Sequence, residues 1–464
     1  MYDVLIIGAG VVGGMIAREL SGFRLSVAVL EKENDVARGA TGANSGIVHA
    51  GFDAKTGTLK AKLNVLGCAM MEKVAAELGV RYEKCGSMVV AFGDEQDKTV
   101  RELCDRGIAN GVPELSILTG DEARKIEPAL SGNITSVLLA PTAGIICPYS
   151  LAIAAVGCAM DNGAELFLNT EVTGVEKTSG GYVITSKDGR KFESRFVVNC
   201  AGLYSDKVAE LAGKCDFSVR PRSGEYMLCD KDAGELVSHT VFKVPTKMGK
   251  GILVSPTAHG NLILGPTSTD IDDKEDKSTT AAGLELIAKG VSESVDNVPL
   301  RSVITSFTGL RAVGSTGDFI INESEGFVNC AGIESPGLTS APAIAVYVRN
   351  LLIGAGMDPD RKEDWNPGRK IYKADPKKYG RIICRCETVS EGEIISAIHT
   401  NPGATDIDGI KKRTRSGMGR CQGGFCQPFV AEILARELGV SLLEITKSGS
   451  GSELLMGKTK EAGI

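Results

Sequence analysis

The first thirty-one residues constrain this chain more than any other segment. Val4-Leu5-Ile6-Ile7 is an unbroken apolar run, as a strand buried on both faces of a parallel sheet requires. Gly8-Ala9-Gly10-Val11-Val12-Gly13-Gly14 follows at once, a helical pattern continues through Met15, Ile16 and Leu20, and Ser26-Val27-Ala28-Val29-Leu30 forms a second strand ending in Glu31. Each glycine answers a different steric demand. Gly8 permits a tight turn, Gly10 lets the backbone approach a pyrophosphate, and Gly13 lets helix and strand pack closely. The helix N-terminus offers unpaired N–H groups and a positive dipole end to the phosphates. Glu31 is expected to bind ribose hydroxyls and to disfavour a 2′-phosphate. Strand, glycines, helix, strand and acid together predict a dinucleotide site in an α/β, Rossmann-type domain.

The 464 residues suffice for about three domains. A hydrophobic content of 43% and a charged content of 24% are those of an ordinary globular protein. The net charge of −6 argues against a nucleic-acid footprint. No apolar run approaches the ~20 residues that span a bilayer, and Met1-Tyr2-Asp3 runs straight into the first strand, so a cytoplasmic protein is expected. In a reducing compartment, thirteen cysteines read as thiols or metal ligands rather than disulfides. Nine are scattered, and those with apolar flanks, such as Cys68, Cys158, Cys200 and Cys330, read as small buried hydrophobes.

The stretch Ala40-Thr41-Gly42-Ala43-Asn44-Ser45-Gly46-Ile47-Val48-His49-Ala50-Gly51 is small and hydroxyl-rich, and suits backbone passing close to a diphosphate and a flat ring. It resembles the flavin-contacting loop of the D-amino-acid oxidase-like FAD superfamily, and Thr41, Asn44, Ser45 and Gly46 are the contacts the resemblance implies. Thr170 to Val175 resembles the strand whose Val172 backbone meets adenine. Val197 to Gly202 resembles the strand and turn that bring Ala201 and Gly202 back to the cofactor. Asn329 to Thr339 resembles the final flavin motif, with Gly332, Gly337, Leu338 and Thr339 where a loop opens a helix beneath the isoalloxazine. A helix N-terminus there stabilises negative charge on the reduced ring. No second strand–glycine–helix unit follows, so the chain is not expected to carry an NAD site of its own.

The resemblance implies interleaved domains: an FAD domain from 1–75, 142–215 and 315–355, and a substrate domain from 76–141 and 216–314. Lys60 to Leu78 reads as an amphipathic helix with Leu63, Leu66, Met70, Val74 and Leu78 on one face. Pro148 to Asn162 reads as another, leading to a strand over 164–175. Residues 216–314 hold strand-like runs bounded by Pro and Gly and suit an antiparallel sheet roofing the flavin. Residues 356–380, with three prolines and Trp365, read as a linker. The tail is 447–464.

Residues 381–446 hold Cys384-Arg385-Cys386, a gap of 34 residues, and Cys421-Gln422-Gly423-Gly424-Phe425-Cys426. Four soft thiolates suit an iron–sulfur cluster or zinc. The spacing resembles the bacterioferritin-associated ferredoxin type of small helical [2Fe-2S] domain, whereas zinc ribbons usually use two Cys-x-x-Cys pairs. Helices are expected from Ser390 to His399 and from Asp406 to Thr414. The basic run Lys411 to Arg415 reads as a solvated face or as an offset to an anionic cluster.

A flavin beside a one-electron carrier implies a dehydrogenase. Oxidising an alcohol needs a base, and the resemblance places His49 beside the flavin. It also implies that Arg311, in Phe307-Thr308-Gly309-Leu310-Arg311-Ala312, meets the substrate anion. Lys250, clustered with Lys243 and Lys247, suits a dianionic phosphate, and Tyr226 opens the substrate domain. Over its whole length the chain resembles the anaerobic or type II glycerol-3-phosphate dehydrogenase/oxidase family, which oxidises sn-glycerol 3-phosphate to dihydroxyacetone phosphate. The same segments resemble L-2-hydroxyglutarate dehydrogenase/oxidase. An amino-acid, opine or proline-type amine dehydrogenase is a further reading, as is an electron-transfer subunit without a substrate. Electrons leaving the cluster imply a hetero-oligomer with an NAD- or quinone-linked flavoprotein, and peripheral membrane association through that partner.

Overall fold

The computed structural model describes residues 1–245 and 251–458. Tyr2–Ile7 pairs in parallel with Val27–Leu30 on one side and Lys191–Asn199 on the other. Glu165–Phe167 extends the sheet beyond Val27–Leu30, and Phe327–Ala331 extends it beyond Lys191–Asn199, both in parallel. Antiparallel strands at Val172–Thr178, Gly181–Ser186 and Ile320–Ser324 complete eight. Helices Val11–Leu20, Pro148–Asp161 and Gly337–Gly354 pack together on this sheet. Met15, Ile16, Leu151, Val156, Ile344 and Val348 build the core between them. The strand expected over 164–175 is two strands at opposite edges of the sheet, because Asn169 turns the chain at a φ of 51°.

Leu59–Leu78 is the expected helix, begun by the Thr58 hydroxyl on the Ala61 N–H and ended at Gly79 with a φ of 64°. Its buried face differs from the expected one. Leu63, Val74 and Leu78 are buried, but Leu66 is 48% exposed and Gly67 and Met71 lie inward instead. The reason is the close approach to Gly337–Gly354: a β-carbon on Gly67 would stand 2.1 Å from the Thr339 carbonyl oxygen.

A second sheet of nine strands draws on 87–140 and 219–314. Its pairings are antiparallel except where Thr240–Lys243 runs parallel to Ser87–Val90. Helix Ala281–Ser294, hidden within the strand-rich reading of 216–314, covers one face with Ile287 and Val291 fully buried. The other face carries Tyr226, Phe242 and Ile263 toward a cavity shared with the first sheet.

The cysteine-bearing segment has its own core of Ile383, Ile394, Ile398, Ile410, Val430 and Leu434. Helix Glu391–His399 begins at a Ser390/Glu393 capping box, and Ile407–Thr414 begins at the Asp406 carboxylate. The basic run is not a solvated face. Arg413 is 5% exposed and forms a bidentate pair with Asp35 of the first sheet's domain. Arg415 donates to Glu387 and to Asn261 of the second sheet's loop. Desolvation offers the physical account: a buried cation persists only where carboxylates and carbonyls receive it.

His259 sits at this junction, and its Nε2 has no hydrogen-bond partner among the described residues. Burial, with Arg415 nearby, pushes its pKa from 6.5 down to about 4. The folded protein therefore resists the proton that the unfolded chain accepts, and stability falls as pH drops from about 6.5 toward 4. Replacing His259 by Asn is expected to flatten that part of the pH–stability curve, as urea denaturation at stepped pH would show. Gly67→Val is expected to destabilise the fold by about 1–3 kcal/mol through overpacking, measurable by the same unfolding titration at neutral pH.

Candidate active site and cluster centre

A cavity of about 620 Å³ runs from the glycine turn to Arg311. At the turn, a β-carbon on Gly8 would stand 2.4 Å from the Cys200 carbonyl oxygen, and one on Gly13 would stand 2.0 Å from the Gly8 carbonyl oxygen. The helix they bring in has no side-chain cap and no acid in its first turn, so its positive end is open to an anion. Thr41 closes the far side, its hydroxyl accepting the Val11 N–H at 3.0 Å. Glu31 is buried, and its oxygens accept the Ala9 N–H at 2.8 Å and the Glu33 N–H at 3.0 Å. Burial raises its carboxyl pKa. Val172, Ala201 and Gly202 line the same end. So do residues the sequence reading passed over: Lys274 pairs with Asp206 at 2.9 Å, and Tyr204 donates to Glu275. Their segment is charged and reads in sequence as a solvated loop; only the tertiary fold lays it over the cavity.

At the other end, Asn44, Ser45, His49, Tyr226, Arg311, Gly337 and Leu338 all reach the cavity. Phe242 stacks on the His49 ring at 5.7 Å, and Ser335 Oγ lies 3.4 Å from His49 Nε2. Neither neighbour carries a local sequence signal. Tyr226 stacks on Phe307 at 5.0 Å and hydrogen-bonds Ser45; burial raises its phenol pKa. Arg311 donates to the Thr267 carbonyl at 2.6 Å, and Gly224 makes room, since a β-carbon there would stand 2.6 Å from the guanidinium.

Four of the expected residues lie behind the cavity wall and hold those in front. The Thr339 hydroxyl is fully buried, accepts the His49 N–H at 2.9 Å and donates to the Ile47 carbonyl. Gly46, at a φ of 70°, turns the loop against Ile146. Gly332, at 62°, passes close over Gly314, and Gly13 packs on Gly8. Lys250 and Lys247 lie outside the described residues. Lys243 is paired with Glu293 and lines a small pocket beside His49 and Phe242.

The four C-terminal thiols form two pairs. Cys384 and Cys426 are buried and hydrogen-bonded to each other; Cys386 and Cys421 are exposed with their sulfurs 3.6 Å apart. The Cys426 thiol donating to Cys384, helped by the backbone N–H groups of Gly417 and Glu387, pushes the Cys384 pKa down to about 5. The backbone turns through Gln422 at 47° and Gly423 at 89° and brings N–H groups of Gly423 and Phe425 to Cys421. Among the described residues no three His, Cys, Asp or Glu side chains converge to hold a single ion. Four thiols in two facing pairs would supply the four thiolates that hold a two-iron cluster. The donor set and the glycine cradle thus both fit their expected cofactors.

Residues 3–351 match the family described as FAD dependent oxidoreductase, and 382–436 match the BFD-like [2Fe-2S] binding domain. Glycerol 3-phosphate dehydrogenase of Caloramator mitchellensis is 49% identical over 99% of both chains. The structure of dithionite-reduced L-alpha-glycerophosphate oxidase from Mycoplasma pneumoniae with FAD bound superposes with a TM-score of 0.76. It is 33% identical, and the match covers 80% of this chain and 99% of that one. Human mitochondrial L-2-hydroxyglutarate dehydrogenase is 32% identical over 58% of this chain and 61% of its own length. Glu31→Ala, which strips two buried N–H groups of their acceptor, is expected to weaken FAD by about tenfold to a hundredfold, read from flavin fluorescence on release.

Proposed function

The chain belongs to the FAD dependent oxidoreductase family and carries FAD and a [2Fe-2S] cluster; from that premise we propose that it oxidises sn-glycerol 3-phosphate to dihydroxyacetone phosphate. The observation that carries the reading is the whole-length similarity to a glycerol 3-phosphate dehydrogenase, together with a cavity lined by both His49 and Arg311. When bound, the FAD accepts the hydride from the carbinol carbon, and the cluster passes the two electrons on singly. The protein does the rest. Arg311, held by the Thr267 carbonyl, grips the phosphate and orients the alcohol. His49 takes the hydroxyl proton at Nε2, so that loss of a proton and a hydride leaves the ketone. Phe242 and the Tyr226–Phe307 stack keep water from the reacting carbon. The N-terminus of Gly337–Gly354 supplies a positive dipole end beside the ring's expected place. The backbone of His49 is fixed by Thr339 and Asn64, so the imidazole is aimed by the packing of two helices.

The electrons leave through the exposed pair Cys386 and Cys421, beside Phe425 and Phe429, whose rings are 6.0 Å apart and both exposed. Arg385 lies over Phe425 at 4.4 Å. This face suits a partner subunit with a redox centre of its own, an NAD- or quinone-linked flavoprotein. No described helix is long and apolar enough to cross a membrane. A 2-hydroxy acid is the second reading, supported by the similarity to L-2-hydroxyglutarate dehydrogenase.

Anaerobic bleaching of the flavin tests the substrate. Glycerol 3-phosphate is expected to bleach it; bleaching by L-2-hydroxyglutarate alone overturns the proposal. Arg311→Lys is expected to lower kcat/KM about tenfold to a hundredfold by removing the bidentate grip. His49→Ala is expected to cost at least about a hundredfold in kcat with FAD retained; full turnover in that variant would favour an amine substrate.

A further inference from the structure

The loop 34–42 walls the phosphate side of the FAD cavity, and the cluster domain grips it from behind. Arg413 donates from Nη1 and Nη2 to the two Asp35 oxygens, each at 2.7 Å, with both side chains at most 5% exposed. The same guanidinium donates to the carbonyls of Pro402 and Gly409 within its own domain, so its position is fixed before it meets Asp35. Lys412 Nζ reaches the Ala37 carbonyl at 3.4 Å. Asn34 donates to Asp406 at 2.6 Å, and Arg38 donates to the Ser448 carbonyl.

The cavity side of that loop is equally committed. Ala37 donates its N–H to the Ala9 carbonyl of the glycine turn at 3.1 Å while holding a φ of 58°, which a side-chain-bearing residue rarely adopts. Asp35 also accepts the Val36 N–H. Gly39 then leads into Ala40–Gly42, whose Thr41 hydroxyl accepts the Val11 N–H. The loop is therefore a hinge pin between two domains, and its inner surface is the cofactor wall.

We infer that the cluster domain is a working part of the FAD site, with Arg413 and Lys412 as positioning residues that hold the loop 34–42 in its flavin-binding shape. Withdrawing Arg413 leaves a buried carboxylate unpaired, which takes up a proton or moves toward water; either way the bidentate tie is lost and the loop that holds Ala37 to Ala9 is loosened. The inference rests on the FAD and cluster assignments alone and holds whatever the substrate.

The test is FAD affinity in the full-length chain, measured by flavin fluorescence quenching after flavin depletion, with the cluster followed by its visible and electron-spin-resonance spectra. Arg413→Ala and Asp35→Asn are each expected to weaken FAD by about tenfold or more with the cluster spectra intact, and Arg413→Lys to restore part of the loss. FAD affinity within about twofold of the parent in Arg413→Ala, with the cluster intact, overturns the inference, even where thermal stability falls. Should Arg413→Ala lose its cluster, Lys412→Met decides: weaker FAD supports the inference, and unchanged FAD overturns it.

Discussion

One steric fact underlies the whole arrangement. The helix Val11–Leu20 can lie against the strand Tyr2–Ile7 only because Gly13 has no β-carbon to meet the Gly8 carbonyl. That contact aims the helix N-terminus into the cavity, and it leaves the Ala9 N–H to be taken up by Glu31 from the neighbouring strand. Glu31 in turn starts the loop that carries Asp35, Ala37 and Thr41 around the phosphates. Strand, helix, acid and loop are thus tied together by the Glu31 carboxylate on the Ala9 N–H, the Thr41 hydroxyl on the Val11 N–H and the Ala37 N–H on the Ala9 carbonyl.

The proposed chemistry sits where four distant segments converge. His49 comes from the first sixty residues, Tyr226 and Phe242 from the second sheet, Arg311 from its longest strand, and Thr339 from the final helix of the nucleotide fold. None of these elements can shift alone. The missing β-carbon at Gly67 brings the helix Leu59–Leu78 onto Thr339, and Thr339 then fixes His49. A packing contact of helices is in this way converted into the aim of an imidazole. The cluster domain extends the same logic. It has its own core, yet three of its cations reach the rest of the molecule: Arg413 pairs with Asp35, Arg415 donates to Asn261 as well as to its own Glu387, and Arg420 pairs with Asp230.

How much of this was legible depended on how local each signal is. The glycine turn could be read because its demands fall within a few consecutive residues. The helices at Ser390 and Asp406 could be read because a cap is a local hydrogen bond. The face of Leu59–Leu78 could not be read fully, since hydropathy puts Leu66 inside, whereas the close helix contact chose Gly67. The basic run at Lys411 carries no sequence mark of burial, and the Asp35 and Ala37 partners of Arg413 and Lys412 lie more than 370 residues away. Phe242 and Ser335 flank His49 for the same non-local reason.

By itself, the sequence determined the α/β nucleotide fold, the FAD motifs and the four cluster cysteines, because each is a short string whose spacing is dictated by the geometry of a turn, a diphosphate or a two-iron cluster. The tertiary structure alone decided which thiols face each other, which residues surround His49 and Arg311, and that the cluster domain is locked onto the FAD loop. Those are contacts between segments from 35 to more than 370 residues apart. They are selected by burial and by the need to pair every buried charge, and neither leaves a pattern along the chain.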